Sequence, residues 1–256
     1  MLLAIDIGNT NVVVGIFERD KLEATWHIAT DVHKMADEYA SILLNLLPLE
    51  NLDFAQIDKA IISSVVPPLV ATFEELCKRY LKVTPMLVGA GIKTGVHIRA
   101  DNPKEVGADR VVNAAAAYKR YGGPLIIIDF GTATTFDVIS KDGDLLGSAI
   151  APGITIAAEA LYERTAKLPR VELVAPHQSI GKNTVMAMQS GLIFGYVGLI
   201  EGITARMRRE LGDRVQVIAT GGLAGIIARE TTVINTIDID LTLEGLRLIY
   251  ELNNKD

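Results

Sequence analysis

Two stretches of this chain follow one plan, and that repetition constrains the fold more than any other feature. Leu125–Val138, LIIIDFGTATTFDV, runs from three consecutive isoleucines into Asp129, a glycine and hydroxyl turn, and a second apolar segment. The isoleucines predict a strand buried on both faces. Asp129 then stands at that strand's carboxyl end, where ligands sit in α/β sheets. Leu2–Phe17, LLAIDIGNTNVVVGIF, repeats the order and aligns Asp6 with Asp129, Gly8 with Gly131 and Asn11 with Thr134. A carboxylate beside such a turn suits phosphate and its cation, since backbone amides and hydroxyls meet the oxygens while the acid holds metal or water. One copy alone reads equally well as a hairpin beside a solvated Asp. Two copies, one opening each half, make the sharper signal.

The remaining periodicities supply the rest of each half. In the first, Lys21–Thr30 alternates as a third strand, Asp37 to Leu47 is helical, and Lys59–Val66 is a buried strand. Pro67-Pro68 opens a helix over Leu69–Leu81, and Thr84–Val88 closes the unit. In the second half, Asp144–Ala151 is the third strand and Pro152-Gly153 turns into a helix over Ile154–Lys167. A long helix covers Thr184–Leu211, a buried strand Arg214–Ala219, a short strand Thr232–Ile234 and a final helix Thr242–Leu252. Both acidic turns join two strands, so neither is a Rossmann or Walker loop, which run strand to helix. Ile180–Thr184 imitates a Walker loop, but Pro176 occupies its first glycine position and Asn183 its Ser/Thr position. Ser63 and Ser64 read as caps of the following helix and are assigned no ligand.

The order β-β-β-α-β-α-β, used twice, is that of the ribonuclease H-like, actin-like ATPase fold. The expected architecture is therefore α/β: two ribonuclease H-like domains, each a five-stranded mixed sheet with flanking helices, and a nucleotide cleft between them. The division expected is 1–118 and 119–256, the second half carrying a dimerisation helix.

Composition narrows the function. Of 256 residues, 49% are apolar, enough for one large core or two moderate ones. A net charge of −6 without any Lys/Arg run argues against nucleic acid as the main partner. The single cysteine, Cys77, excludes an internal disulfide and fits a reducing cytosol. Met1–Asp6 meets an acid at once and reads as a strand rather than a signal peptide. The four histidines lack zinc-ligand spacing. Within Thr184–Leu211 the apolar run Val185–Ile200 is interrupted by Glu201, short of the ~20 residues of a membrane span. Glycines at 191, 195, 198 and 202 leave a strip where another helix approaches closely, at a subunit interface or in a core.

Between the halves, Asn102-Pro103 leads through Gly107-Ala108-Asp109-Arg110 into an alanine-rich helix. Asp109 is a candidate base and Arg110 a planar anion clamp near that helix's start. An ordinary helix-start carboxylate with a surface Arg is the plain alternative. Gly107 and the position between two phosphate turns favour the functional reading.

Together, Asp6–Asn11 (DIGNTN), Asn102-Pro103, Gly107–Arg110 (GADR), Asp129–Thr135 (DFGTATT), Pro152-Gly153, Ile180–Thr184 and Thr220–Gly222 resemble the type III pantothenate kinases of bacterial coenzyme A biosynthesis. The resemblance spans nearly the whole chain in the family's order. It implies ATP-dependent phosphorylation of pantothenate to 4′-phosphopantothenate in the cytoplasm, with Mg²⁺ accompanying ATP. Asp6, Ile7, Gly8, Asn9, Thr10, Asn11, Val12 and Val13 would line the ATP phosphates, and Thr132 would touch ATP. Asp109 would be the general base; Gly107, Ala108 and Arg110 would help bind pantothenate. Asp129 would hold a monovalent cation, potassium or ammonium. Thr184 would reach the pantothenate of the partner subunit in a homodimer. One departure is Ala100, where the family commonly has an aromatic residue; it bears on substrate affinity more than on chemistry. Two rival readings are a non-catalytic transcription accessory factor and an actin-like filament protein. Intact acidic turns and the missing basic patch oppose the first; the second needs insertions that 256 residues leave little room for.

Overall fold

The computed structural model describes residues 1–212 and 214–254. The chain divides into two compact units: Met1–Val96 with Asn102–Ala116 and Leu241–Asp256, and His97–Asp101 with Ala117–Asp240.

The first unit is built on a five-stranded sheet. Its strands are β1 (Leu2–Ile7), β2 (Asn11–Glu18), β3 (Lys21–Ala29), β4 (Lys59–Ser64) and β5 (Met86–Leu87). They lie in the order β3-β2-β1-β4-β5. β1 runs antiparallel to β2 and parallel to β4. As the central strand it is buried on both faces, which is why Leu2–Ile5 carries no polar residue until Asp6. Helices α1 (Ala36–Leu46) and α2 (Pro67–Leu76) cover one face. Leu3, Ile5, Ile7, Val12, Val14, Tyr39, Leu43, Leu69 and Phe73 form the core there. Fully burying side chains of this size contributes ~1.5–3 kcal/mol each.

Two further helices, α3 (Ala108–Tyr121) and the C-terminal helix, here α7 (Leu241–Asn253), complete this picture. Leu2, Ala4, Phe17 and Ile61 of the sheet pack with Val112, Ala115, Leu243, Leu246 and Ile249. α7 thus covers the first sheet, although the sequence placed it with the second half. The expected boundary between residues 118 and 119 also falls inside α3, whose first part to Ala116 belongs to the first unit. An apolar stripe says that a helix must be covered, not which sheet will cover it. Gly245 makes the α3–α7 crossing close: a Cβ there would lie 2.3 Å from the Val112 carbonyl oxygen. The same crossing lets the Thr242 hydroxyl donate to Asn113 Oδ1 at 2.7 Å.

The second unit repeats the topology. β6 (Leu125–Phe130), β7 (Ala133–Ile139), β8 (Leu145–Pro152), β9 (Gln216–Thr220) and β10 (Thr236–Ile237) are ordered β10-β9-β6-β7-β8. Substituting each strand by its counterpart gives the first sheet's order. α4 (Ile154–Glu163), α5 (Thr184–Leu211) and the short α6 (Ala224–Ile227) pack on one face, over Ile126, Ile128, Phe130, Phe136 and Val217. The last strand forms at Thr236–Ile237 rather than at the expected Thr232–Ile234. Asn235 explains the shift: its side-chain carbonyl accepts from the Val217 amide at 2.8 Å and its own amide donates to the Val217 carbonyl. That side chain stands in for a ladder bond, so pairing starts one residue later. The end of α3 is fixed here too, by Tyr121 and Arg120 on the buried Asp238 at 2.7 and 3.0 Å.

Candidate active site

The sites in each unit are built at the carboxyl ends of the central strands. In the first unit Asp6 and Ile7 end β1, Gly8, Asn9 and Thr10 form the turn, and Asn11, Val12 and Val13 begin β2. The Gly8 amide donates to the Asn11 carbonyl at 3.0 Å and closes the turn. The Thr30 hydroxyl, one residue past β3, donates to the Gly8 carbonyl at 2.7 Å and braces the turn. Asn9, Thr10 and Asn11 are exposed, and Asp6 is half-buried at the base of the turn.

Gly107–Arg110 is brought to that turn. The Val65 amide donates to the Ile7 carbonyl at 3.0 Å, and Gly107 lies against Val65: a Cβ on Gly107 would be 3.4 Å from Val65 Cγ1. Asn102-Pro103 precedes it as expected, the Asn102 amide group donating to Glu105 at 2.7 Å. Asp109, in the first turn of α3, accepts from the Arg110 amide at 2.8 Å. Burial raises its carboxyl above the ordinary range, while the amide and guanidinium of Arg110 pull the other way. The carboxylate is therefore a better proton acceptor than a solvated Asp. Gly107 is what allows it this position, since a Cβ there would fall 2.5 Å from Asp109 Oδ1.

The second unit places Asp129 near the end of β6 and Thr132 in the exposed turn after it. Two motifs converge on this turn. The Gly153 amide donates to the Thr132 carbonyl at 3.1 Å. Gly221 adopts φ +87° and lies so close that a Cβ would be 2.7 Å from Asp129 Oδ1. Any other residue would meet both backbone strain and the carboxylate. Asp129 stands in register with Thr135 on β7 and Thr220 on β9. Carboxylate and hydroxyl oxygens are donors that suit a hard cation.

Thr184 lies elsewhere in this unit, at the start of α5. Asn183 caps that helix, its side chain accepting from the Met186 amide at 2.9 Å. The residue that breaks the Walker pattern is thus the helix cap. Thr184 lines an apolar groove of about 620 Å³ with Ala157, Leu161, Met188, Gly191 and Tyr196. The Tyr196 hydroxyl donates to the Pro152 carbonyl, tying the groove wall to the strand end beside Thr132. α5 is long and apolar enough to cross a membrane by length and composition, yet Leu192, Ile193, Tyr196 and Ile200 are buried in the second unit's core. Ala100 follows Arg99, whose amide donates to the Leu145 carbonyl of β8 at 2.8 Å and whose side chain pairs with Asp144 at 2.8 Å. Sequence reading passed over Ser63, which is fully buried beside Asp6. Neither serine caps α2, whose N-cap is Val66; only its register, not its residue type, distinguishes Ser63 from Ser64.

Two repeated sheets, each with an acidic turn on its central strand, define the actin-like ATPase fold that many phosphotransferases use. A Campylobacter jejuni chain assigned to the Baf family of transcriptional activators shares it, at TM-score 0.63, 19% identity and 98% coverage of both chains. So does an activator of 2-hydroxyisocaproyl-CoA dehydratase from Clostridium difficile with bound ADPNP, at TM-score 0.53, 15% identity and coverage of 97% and 93%. The sequence family model for type III pantothenate kinase matches residues 2–206. A type III pantothenate kinase of Dehalococcoides mccartyi is 54% identical over 252 residues, 98% of this chain and 96% of that relative. One of Roseiflexus sp. is 54% identical over 253 residues, 99% of each. The chain belongs to the type III pantothenate kinase family.

Proposed function

We propose that this kinase phosphorylates pantothenate with ATP to give 4′-phosphopantothenate, the first step of coenzyme A biosynthesis, and that Asp109 is its general base. The observation that carries the reading is the first unit's pairing of a phosphate-type turn, Asp6–Val13, with a half-buried carboxylate of raised proton affinity on the adjoining helix. Phosphoryl transfer asks the protein to position reactants and neutralise charge rather than to form bonds of its own. The Gly8–Asn11 turn offers backbone amides and hydroxyls to the phosphates, and Thr132 adds a contact. Asp109 takes the proton of the pantothenate primary hydroxyl as that oxygen attacks the terminal phosphorus. Gly107 and Ala108 give the substrate close access to the backbone, and Arg110 supplies a guanidinium for the pantothenate carboxylate. ATP arrives with Mg²⁺. A monovalent cation, potassium or ammonium, would be held at Asp129 and supply positive charge there; the oxygen donors beside that carboxylate fit it.

The protein acts as a cytoplasmic homodimer in this reading. The apolar groove and the glycines of α5 support it, since a Cβ at Gly191, Gly195 or Gly198 would meet nothing within 4 Å. A second copy seated there would bring Thr184 to its partner's pantothenate. Mixing the protein with Mg·ATP, potassium and pantothenate and following ADP tests the activity. Pantothenate-dependent ADP and a phosphorylated product are expected. ATP hydrolysis indifferent to pantothenate, or none at all, would contradict the reading.

A further inference from the structure

The first acidic turn has a second polar group that the mechanism above leaves unused. Ser63 lies in register with Asp6 on the neighbouring parallel strand, and directly paired residues of adjacent strands project to the same face. Their neighbours two positions back, Ala4 and Ile61, both pack toward α3 and α7, so Asp6 and Ser63 share that face. Ser63 is 0% exposed and its hydroxyl has no hydrogen-bond partner. Ser64, one residue on, braces the turn before α2, its Oγ accepting from the Val66 amide at 3.0 Å, and Val66 rather than either serine is that helix's N-cap. The two serines therefore do different things. A buried hydroxyl without a partner is uncommon in a folded protein and calls for a ligand or a function. The second unit keeps a hydroxyl at the corresponding place, Thr220 in register with Asp129.

We infer that Ser63 is a positioning residue of the nucleotide site: its hydroxyl donates to the Asp6 carboxylate beside it when that carboxylate takes the hydrated divalent cation that accompanies the ATP phosphates. Mg²⁺ retains several waters when bound through one or two carboxylates, so its outer shell needs protein oxygens. A hydroxyl beside a carboxylate on one sheet face can orient that carboxylate without meeting solvent itself. The inference rests on the reading of the Asp6 turn as the phosphate cradle.

The test is calorimetric binding of a non-hydrolysable ATP analogue to wild type and Ser63→Ala, each with Mg²⁺ and with EDTA, alongside thermal unfolding of the free proteins. Removing an unpartnered hydroxyl leaves the free variant as stable as wild type or more so. Affinity for the Mg²⁺ complex is expected to fall about tenfold, the scale of one hydrogen bond in a charged network. Without Mg²⁺ the two proteins are expected to bind the analogue alike. Equal affinity of the variant and wild type for the Mg²⁺ complex would overturn the inference, as would the same loss with and without Mg²⁺. A wild type that binds no nucleotide would overturn the phosphate-cradle reading itself.

Discussion

Asp109 carries the chemical argument at the scale of single residues. Burial is the largest influence on its carboxyl and raises it, so a base at this position, as proposed, loses its proton above the usual carboxylate range. kcat/KM should accordingly fall on acidification with a midpoint above ~3.9, the solvated Asp value. A pH profile with no acid limb above that value would remove the residue from its role. The same shift has a consequence for folding. A raised native pKa means that the folded state holds the proton more tightly, so this group's contribution to stability is present at low pH and lost as pH rises through the native value. Asp109→Asn should therefore gain stability relative to wild type between about pH 4 and pH 8, measured as the difference in Tm at the two ends. A second prediction concerns Gly107, packed against that carboxylate. Gly107→Ala pushes the base out of place and should cut kcat about 10²-fold, the cost of ~1 Å misplacement, while nucleotide affinity stays near wild type.

At the scale of elements, the part of the fold readable in advance was what the residues themselves encode. Leu2–Ile7 and Leu125–Phe130 announce buried strands because nothing polar interrupts them before the acid, and both formed as such. Each acidic turn followed from a glycine and small polar residues between two strands. What escaped depended on partners distant in the sequence. α7 has an apolar stripe that would fit either sheet, and the pairing is decided by Gly245 meeting Val112. β10 moved because Asn235 replaced a ladder bond with its side chain. Ser63 looked like a cap because its type is that of a cap; its register with Asp6 appears only in the sheet. The α3–α7 crossing yields a prediction of its own. Gly245→Leu cannot fit against the Val112 carbonyl and should destabilise the protein by about 1–3 kcal/mol or more, read as a lower denaturation midpoint. Unchanged stability would show that the crossing does not hold α7.

For the whole molecule, the proposed function needs ATP, pantothenate, a monovalent cation and a second subunit. Asp129→Ala should abolish activation by potassium while leaving the protein folded; persistence of an unchanged potassium dependence would place the cation elsewhere. Gly195→Glu sets a charge in the apolar groove beside Tyr196. Under the proposed homodimer it should shift the protein toward monomer in light scattering and raise KM for pantothenate more than for ATP, because that proposal has Thr184 reach the partner's pantothenate. The central claim is that the turn at Asp6 binds nucleotide while Asp109 serves only the attacking hydroxyl. The most direct measurement is a comparison of wild type and Asp109→Asn by calorimetric ATP binding and pantothenate-dependent turnover in the same buffer. ATP affinity within about twofold of wild type, with kcat lower by ~10²–10⁴-fold, is the predicted result; near-normal turnover by the variant would contradict it.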